Sequence, residues 1–273
     1  VSGTVINSTD NIILSSYISI ILTGLYSNYL TLTAAVNTIL SKLFSAFTAS
    51  LGNLNVDAGD DVEKKYFIFK TLSFMNFWTY GFCAVCFLVL FDPFISVWIG
   101  EKFIMSFPTE CAIVCSFLIT GLQETVGTHR AAYGLFYKGR YRPIFSVILN
   151  IFFSILFVKI LPESYGVVAV LLGTIISNIT VSWWFDAYLV YKYAFQKKPW
   201  EFYKDFWLRF MFTMFFGVFL RILCEKLPIE GWLLVIVDAI LVTILFNLLF
   251  YIIFHKKEEY KYIKNSILHL IKR

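Results

Sequence analysis

Runs of apolar residues, separated by short polar segments, follow one another along the whole chain. The hydrocarbon core of a bilayer is about 30 Å thick, so a membrane-spanning helix needs about 20 apolar residues. Eight such runs predict helices at about 10–26, 29–50, 67–91, 107–127, 144–161, 166–191, 206–224 and 232–254. The first two belong to one uncharged stretch that is too long for a single span, and we expect the break between them at 24–29. The pattern therefore predicts an all-α polytopic transmembrane helix bundle over 1–254, followed by a basic, amphipathic tail at 255–273.

The composition supports a membrane protein. Hydrophobic residues make up 59% of the chain and charged residues 15%, whereas a soluble domain has about 45–50% apolar and about 25% charged residues. This excludes an ordinary cytoplasmic enzyme, a disordered regulator and a disulfide-stapled secreted module. The three histidines are scattered, and the sequence has no P-loop, no dinucleotide fingerprint and no nucleophile–base arrangement. We therefore expect no enzymatic activity, no metal, no cofactor and no nucleic-acid partner.

Basic residues mark alternate connecting segments. Seventeen Lys and Arg lie in 51–70, 128–143, 192–205 and 255–273, against three in 92–106, 159–165 and 225–231. Because Lys and Arg are enriched in cytoplasmic loops, we expect both ends of the chain to be cytoplasmic. The chain begins at Val1 without a methionine, and we expect that an N-terminal part of the protein is missing.

The second predicted helix carries a polar face. Within an arc of about 120° lie Ala34, Asn37, Thr38, Ser41, Ser45, Thr48 and Ala49, with Lys42 at the edge. Hydrocarbon cannot satisfy polar groups, so this face should meet other helices or water. Tight packing through small residues and the lining of a cavity both explain it. Lys42 is either an intramembrane charge or a side chain that reaches the cytoplasmic interface.

The fourth predicted helix carries a second stripe, formed by Ser116, Thr120, Gln123, Glu124 and Gly127. Glu124 is either held in a structural pair by Arg130 or Lys42, or is a carboxylate that couples transport to an ion gradient. Asp10 is a helix cap if the first helix starts there. It is an intramembrane carboxylate if that helix starts upstream.

Two charges fall in the last two predicted helices. Arg221 and Asp238 both lie in the outer third of the membrane when counted from opposite ends of antiparallel helices. We expect them to form a structural pair. On the sixth predicted helix, Ala169, Gly173 and Ser177 form a small-residue ladder that indicates close helix packing.

Several sequence motifs resemble a known family. They are Arg130-Ala-Ala-Tyr-Gly-Leu-Phe-Tyr-Lys-Gly-Arg-Tyr-Arg-Pro-Ile144 with Asn150, Ser154, Tyr165-Gly166 and Leu172-Gly173-Thr174, together with Thr9-Asp10-Asn11-Ile12-Ile13, Tyr26-Ser27-Asn28-Tyr29 and Ser50-Leu51-Gly52-Asn53-Leu54. These resemble the polysaccharide-biosynthesis flippases of the Wzx type, in the multidrug/oligosaccharidyl-lipid/polysaccharide exporter superfamily. The similarity covers about residues 9–174.

The resemblance implies 12 or 14 spans in two bundles, of which this chain would supply the last eight. It implies alternating access and transfer of a polyprenyl-diphosphate-linked oligosaccharide across the cytoplasmic (inner) membrane for surface polysaccharide synthesis. The implied partners are membrane lipids and a polysaccharide polymerase or assembly proteins.

Residue roles follow from this implied function. A diphosphate needs cationic partners, which Lys42 and Arg130 are best placed to supply in a cavity lined by Asn37, Ser41 and Ser45. The ion-coupling candidates are Glu124, Asp10 and Gln123. The alternative is a multidrug or cation antiporter of the same superfamily, with Glu124 as the key residue. A membrane-embedded glycan-processing enzyme would need long outer loops or His/Asp clusters, which the sequence lacks. A non-transporting scaffold is a further alternative, although it would not need two polar stripes.

Overall fold

The computed structural model describes residues 2–57 and 61–271, and within these ranges the regular structure is entirely helical. The α-helices are α1 Ser2–Tyr17, α2 Ile20–Ser45, α3 Phe47–Asp57, α4 Val62–Trp98, α5 Phe107–Gly121, α6 Glu124–Ala132, α7 Arg142–Ile160, α8 Gly166–Ser177, α9 Trp184–Val190, α10 Trp200–Cys224, α11 Gly231–Phe254 and α12 Glu258–Ile271.

Seven helical segments of the described chain are long and apolar enough to cross a membrane. They are Ile20–Leu54, Val62–Trp98, Phe107–Ala132, Tyr137–Ile160, Glu163–Phe195, Trp200–Cys224 and Gly231–Phe254. The protein is therefore an all-α, multi-pass membrane helix bundle. α1 precedes these segments and, at 16 residues, is shorter than a full span.

The break between the first two helices lies at Ile18–Ser19, and the expectation of a break at 24–29 is corrected. Ser19 has extended backbone (φ −166°, ψ 137°) and its side chain accepts a hydrogen bond from the Ile21 amide, so it caps α2. Gly24 lies within the continuous helix, where a helical glycine is tolerated at a modest energetic cost.

The long helix α4 organises the bundle. α10 and α11 pack extensively against it, and α2 and α5 also contact it. The remaining neighbours close a ring, in which α5 packs on α8, α8 on α7, and α1 on both α7 and α8. Aromatic rings fill the interface between α4 and α11, where the centroids of Phe74 and Phe250 lie 5.2 Å apart.

The C-terminal tail folds back on the bundle. Residues Glu258–Ile271 form α12, which contacts α4, and the rings of Phe67 and Tyr262 lie 5.4 Å apart. The last two residues of the predicted tail, 272–273, lie outside the described residues.

Two of the predicted spans are interrupted. The predicted span 107–127 divides into α5 and α6 at Leu122–Gln123, and the predicted span 166–191 contains a π-helical segment, Asn178–Trp183. Asn76 of α4 donates a hydrogen bond of 3.0 Å to the Gly121 carbonyl at the end of α5. This satisfies a backbone oxygen that the helix interruption leaves free.

Candidate functional site

The two polar stripes of the sequence meet at a cavity between α2 and α5. The cavity has a volume of about 170 Å³, and its polar lining comes from Thr33 and Asn37 of α2 and from Ser116 and Thr120 of α5. Asn37 accepts a hydrogen bond of 3.0 Å from the Tyr80 hydroxyl. Of the predicted cavity residues, Asn37 therefore does line a cavity.

The remaining predicted residues of α2 lie on an open surface beyond this cavity. Lys42 and Ser45 are exposed and Ser41 is half-buried. The hydroxyls of Ser41 and Ser45 donate to the backbone oxygens of Thr38 and Lys42 in their own helix, at 3.3 and 3.0 Å. The helix thus satisfies these hydroxyls itself, and within the described chain this face is left uncovered.

A second polar site is built around Asp10. This residue is 5% exposed and lies in the middle of α1, which begins at Ser2, so the interpretation of Asp10 as a helix cap is wrong. Thr174 of α8 donates a hydrogen bond of 2.7 Å to one Asp10 carboxylate oxygen. The side-chain amide of Asn150, on α7, donates to the other at 3.3 Å and to the Thr174 hydroxyl at 2.9 Å. We call these three residues the Asp10 cluster.

The Asp10 cluster is rich in acceptor oxygens. The amide oxygen Oδ1 of Asn150 is buried without a hydrogen-bond partner. One turn along α7, the Ser154 hydroxyl lies 3.3 Å from the Val170 carbonyl oxygen of α8. Carboxylate, amide, hydroxyl and carbonyl oxygens are the ligands of hard cations, and a carboxylate also accepts a proton. The cluster therefore has the chemistry to hold either a small cation or a proton between three helices.

Arg130 is not free to face the α2–α5 cavity. Its guanidinium donates to Asp186 of α9 at 2.6 Å, and the same carboxylate pairs with Arg142 at 3.2 Å. Asp186 is 8% exposed. Sequence reasoning missed this pairing because the acidic partner follows Arg130 by more than fifty residues.

Gln123 lies in the interruption after α5, and Glu124 is the first residue of α6. Gln123 donates to the Asn178 side chain at 2.8 Å, which joins this interruption to the π-helical segment. π-Helical turns are frequent at functional sites. Glu124 is half-buried, and within the described chain it forms no ion pair or side-chain hydrogen bond. Neither of its two predicted partners, Arg130 and Lys42, pairs with it.

Arg221 lies near the other end of the bundle, and its partners differ from the predicted one. It forms ion pairs with Glu110, Asp92 and Glu225, and Glu110 is fully buried. Asp238 is not among its partners in the described chain. Both residues line a cavity of about 330 Å³, in which Asp238 keeps one buried oxygen unpartnered. The Arg221–Asp238 pair is therefore replaced by a network centred on Arg221.

Comparison with models of protein families, with curated proteins and with solved structures gave no match to this chain. The class of the protein is stated from its own structure: an all-α, multi-pass membrane helix bundle that combines a polar cavity between α2 and α5 with a buried carboxylate cluster between α1, α7 and α8.

Proposed function

We propose that this chain is part of an ion-coupled transporter that moves polyprenyl-diphosphate-linked oligosaccharides across the cytoplasmic membrane. The observation that carries the proposal is the Asp10 cluster. A carboxylate buried among apolar helices is energetically costly, and such residues mark ion and proton pathways.

The coupling mechanism follows from how α1 is connected. A cation or proton at Asp10 would favour the packing of α1 on α7 and α8, since it removes the energetic cost of an uncompensated carboxylate charge buried between these helices. α1 joins α2 through the two-residue break at Ile18–Ser19, so a movement of α1 is transmitted to the polar face of α2. An ion shifts such an equilibrium only by its difference in affinity for the two states. We infer that the states differ in the distance between Asp10 and Thr174.

The substrate class rests on the sequence resemblance. Three of the residues that carry the resemblance, Asp10, Asn150 and Thr174, are the members of the Asp10 cluster. On the exposed face of α2, Lys42 offers the cation that a diphosphate requires. Arg130 is engaged by Asp186, and we assign it a positioning role at α9.

A cation or drug antiporter is the second candidate. The observation that favours it is Glu124, a half-buried carboxylate next to the interruption between α5 and α6, without a basic partner in the described chain. In such an antiporter Glu124 would bind the transported cation directly.

The test is transport by the whole protein, reconstituted into liposomes with a fluorescent polyprenyl-diphosphate oligosaccharide and an imposed Na⁺ or proton gradient. We expect Asp10→Asn and Thr174→Val to reduce gradient-stimulated transport at least tenfold. The exposed Glu101→Gln variant is the matched control and should transport at the wild-type rate. Lys42→Ala should reduce transport with and without the gradient.

Two results would contradict the proposal. If the gradient stimulates transport by the Asp10→Asn variant as strongly as by the wild-type protein, Asp10 is not the coupling site. If the wild-type protein transports an organic cation but not the lipid-linked oligosaccharide, and the Glu124→Gln variant loses this cation transport, the antiporter is favoured instead.

A further inference from the structure

A cavity opens between α7 and the π-helical segment that precedes α9. Its volume is about 370 Å³, and Lys138 and Arg142 contribute to its lining together with Phe145, Leu149, Val181 and Trp184. On α7, Phe145 and Leu149 follow Arg142 by three and seven residues, which places them on one helix face. With a rise of 1.5 Å per residue, they lie about 4.5 and 10 Å deeper along the helix than Arg142. The cavity is therefore cationic at one end and apolar along its length.

The cationic end belongs to a larger surface, which we call the basic–aromatic patch. It consists of Lys138, Arg140, Arg142 and Lys192 with Tyr137, Tyr141, Tyr188 and Tyr193. Three of its cations lie over tyrosine rings. The distance from the charged group to the ring centroid is 4.0 Å for Lys138 over Tyr193 and 4.2 Å for Arg140 over Tyr137. A tyrosine ring holds a cation in place without neutralising it.

Little negative charge balances the patch. Among the described residues, the carboxylate that pairs with it is Asp186, which Arg142 shares with Arg130. The Nε donor of Arg142 is buried and has no hydrogen-bond partner. An anion with several acceptor oxygens fits this arrangement, because arginine and lysine bind phosphate through charge-assisted hydrogen bonds.

The outer face of α7 continues from the patch as an uncovered apolar surface. Ile144, Phe145, Ile148 and Phe152 are 57%, 58%, 55% and 57% exposed. A free phosphate ion makes no favourable contact with an apolar surface, whereas the acyl chains of a phospholipid can pack against it. Basic pockets between transmembrane helices bind anionic lipid headgroups.

We propose that the basic–aromatic patch and this cavity form a binding site for an anionic phospholipid. Lys138 and Arg142 hold its phosphate, and its acyl chains lie along Phe145 and Leu149. The site shares no residue with the Asp10 cluster or with the α2–α5 cavity, and the inference does not rest on the proposed transport function.

The experiment measures lipid retention by the whole protein in detergent, using native mass spectrometry during titration with phosphatidylglycerol or phosphatidylcholine. We expect phosphatidylglycerol to bind more tightly than phosphatidylcholine. Lys138→Gln should weaken the binding of phosphatidylglycerol about fivefold, since one cation near a membrane surface contributes about 1 kcal/mol. Lys138→Arg should restore binding because it keeps the charge. Lys256→Gln, an equal loss of charge at an exposed position beyond α11, is the matched control and should bind as wild type.

Three outcomes would overturn the inference. The first is equal retention of the two phospholipids by the wild-type protein. The second is displacement of phosphatidylglycerol by millimolar inorganic phosphate, which would identify an anion site without lipid specificity. The third is preferential retention of a polyprenyl diphosphate, which would assign the site to a transport substrate. Melting temperatures of all variants show whether a loss of binding reflects unfolding.

Discussion

Arg221 illustrates how an intramembrane charge is stabilised. Three carboxylates surround its guanidinium, and it also donates to the Leu88 carbonyl at 3.3 Å. The Tyr29 hydroxyl lies 3.3 Å from the buried Glu110. Sequence reasoning identified Arg221 as a residue that needs an acidic partner, but chose Asp238 by counting residues along α10 and α11. Packing of α10 on α4 and α5 supplies Asp92 and Glu110 instead.

We predict that Arg221→Met destabilises the protein by about 3–5 kcal/mol, because it leaves a buried carboxylate unpaired. The measurement is chemical or thermal unfolding in detergent. Lys226→Met, at an exposed position two residues beyond the end of α10, is the control and should be neutral. Adding Glu110→Gln to Arg221→Met should recover part of the loss, since it removes the unpaired charge. An Arg221→Met protein as stable as wild type would contradict the network.

Asp10 has partners that its own sequence neighbourhood does not indicate. The sequence singled it out as either a cap or an intramembrane carboxylate, and the start of α1 at Ser2 rules out the cap. Its partners Asn150 and Thr174 follow it by 140 and 164 residues. Contacts across such separations are made by helix packing, which a hydropathy pattern does not encode.

At the scale of elements, α7 and α8 pack closely against each other, and Gly173 makes this possible. A Cβ atom at Gly173 would lie 2.5 and 2.6 Å from the backbone nitrogen and Cα of Ser154. The small-residue ladder predicted from Ala169, Gly173 and Ser177 is confirmed as a packing surface, since all three residues are buried. Small residues let helix backbones approach closely inside a membrane.

We predict that Gly173→Ala lowers stability by about 1–3 kcal/mol, because the added methyl group meets backbone atoms that cannot move aside. It should also weaken ion coupling, since Thr174 and Ser154 shift with the two helices. Unfolding in detergent measures the first effect and gradient-stimulated transport the second. The control is Gly24→Ala, a helical glycine whose added Cβ would have no neighbour within 4 Å. If Gly173→Ala unfolds at the same point as Gly24→Ala, the close approach of α7 and α8 is not what stabilises this pair.

The interruptions in the predicted spans belong to the same scale. Hydropathy treats residues 107–127 and 166–191 as continuous, because an interruption does not change how apolar a window is. The interruptions are supported by contacts between elements, namely Asn76 with the Gly121 carbonyl and Gln123 with Asn178. These contacts form only when α4, α5 and α8 pack together.

At the scale of the whole molecule, the segments rich in Lys and Arg predict an orientation in the membrane. The connection between α6 and α7, the start of α10 and the segment after α11 should share the cytoplasmic side. The connections between α4 and α5 and between α10 and α11 should lie on the opposite side.

Cysteine labelling tests this orientation. The five native cysteines are free thiols, so they can be replaced before one reporter is introduced. We expect a membrane-impermeant maleimide to label Lys102→Cys in intact cells and to leave Lys256→Cys unlabelled. Permeabilised cells should label both, which controls for reactivity. If Lys256→Cys is labelled in intact cells and Lys102→Cys is not, the protein has the opposite orientation.

The sequence by itself determined the membrane environment, the helical class and most of the span positions. These depend on local composition, because each stretch of about 20 apolar residues inserts as a helix whatever its neighbours are. It also indicated that α2 and α5 carry polar faces. Only the tertiary structure decided that those faces meet at one cavity, that Asp10 contacts α7 and α8, and that Arg130 and Arg221 have other partners than expected. The physical reason is that these contacts join residues far apart in the chain, and helix packing rather than hydropathy brings them together.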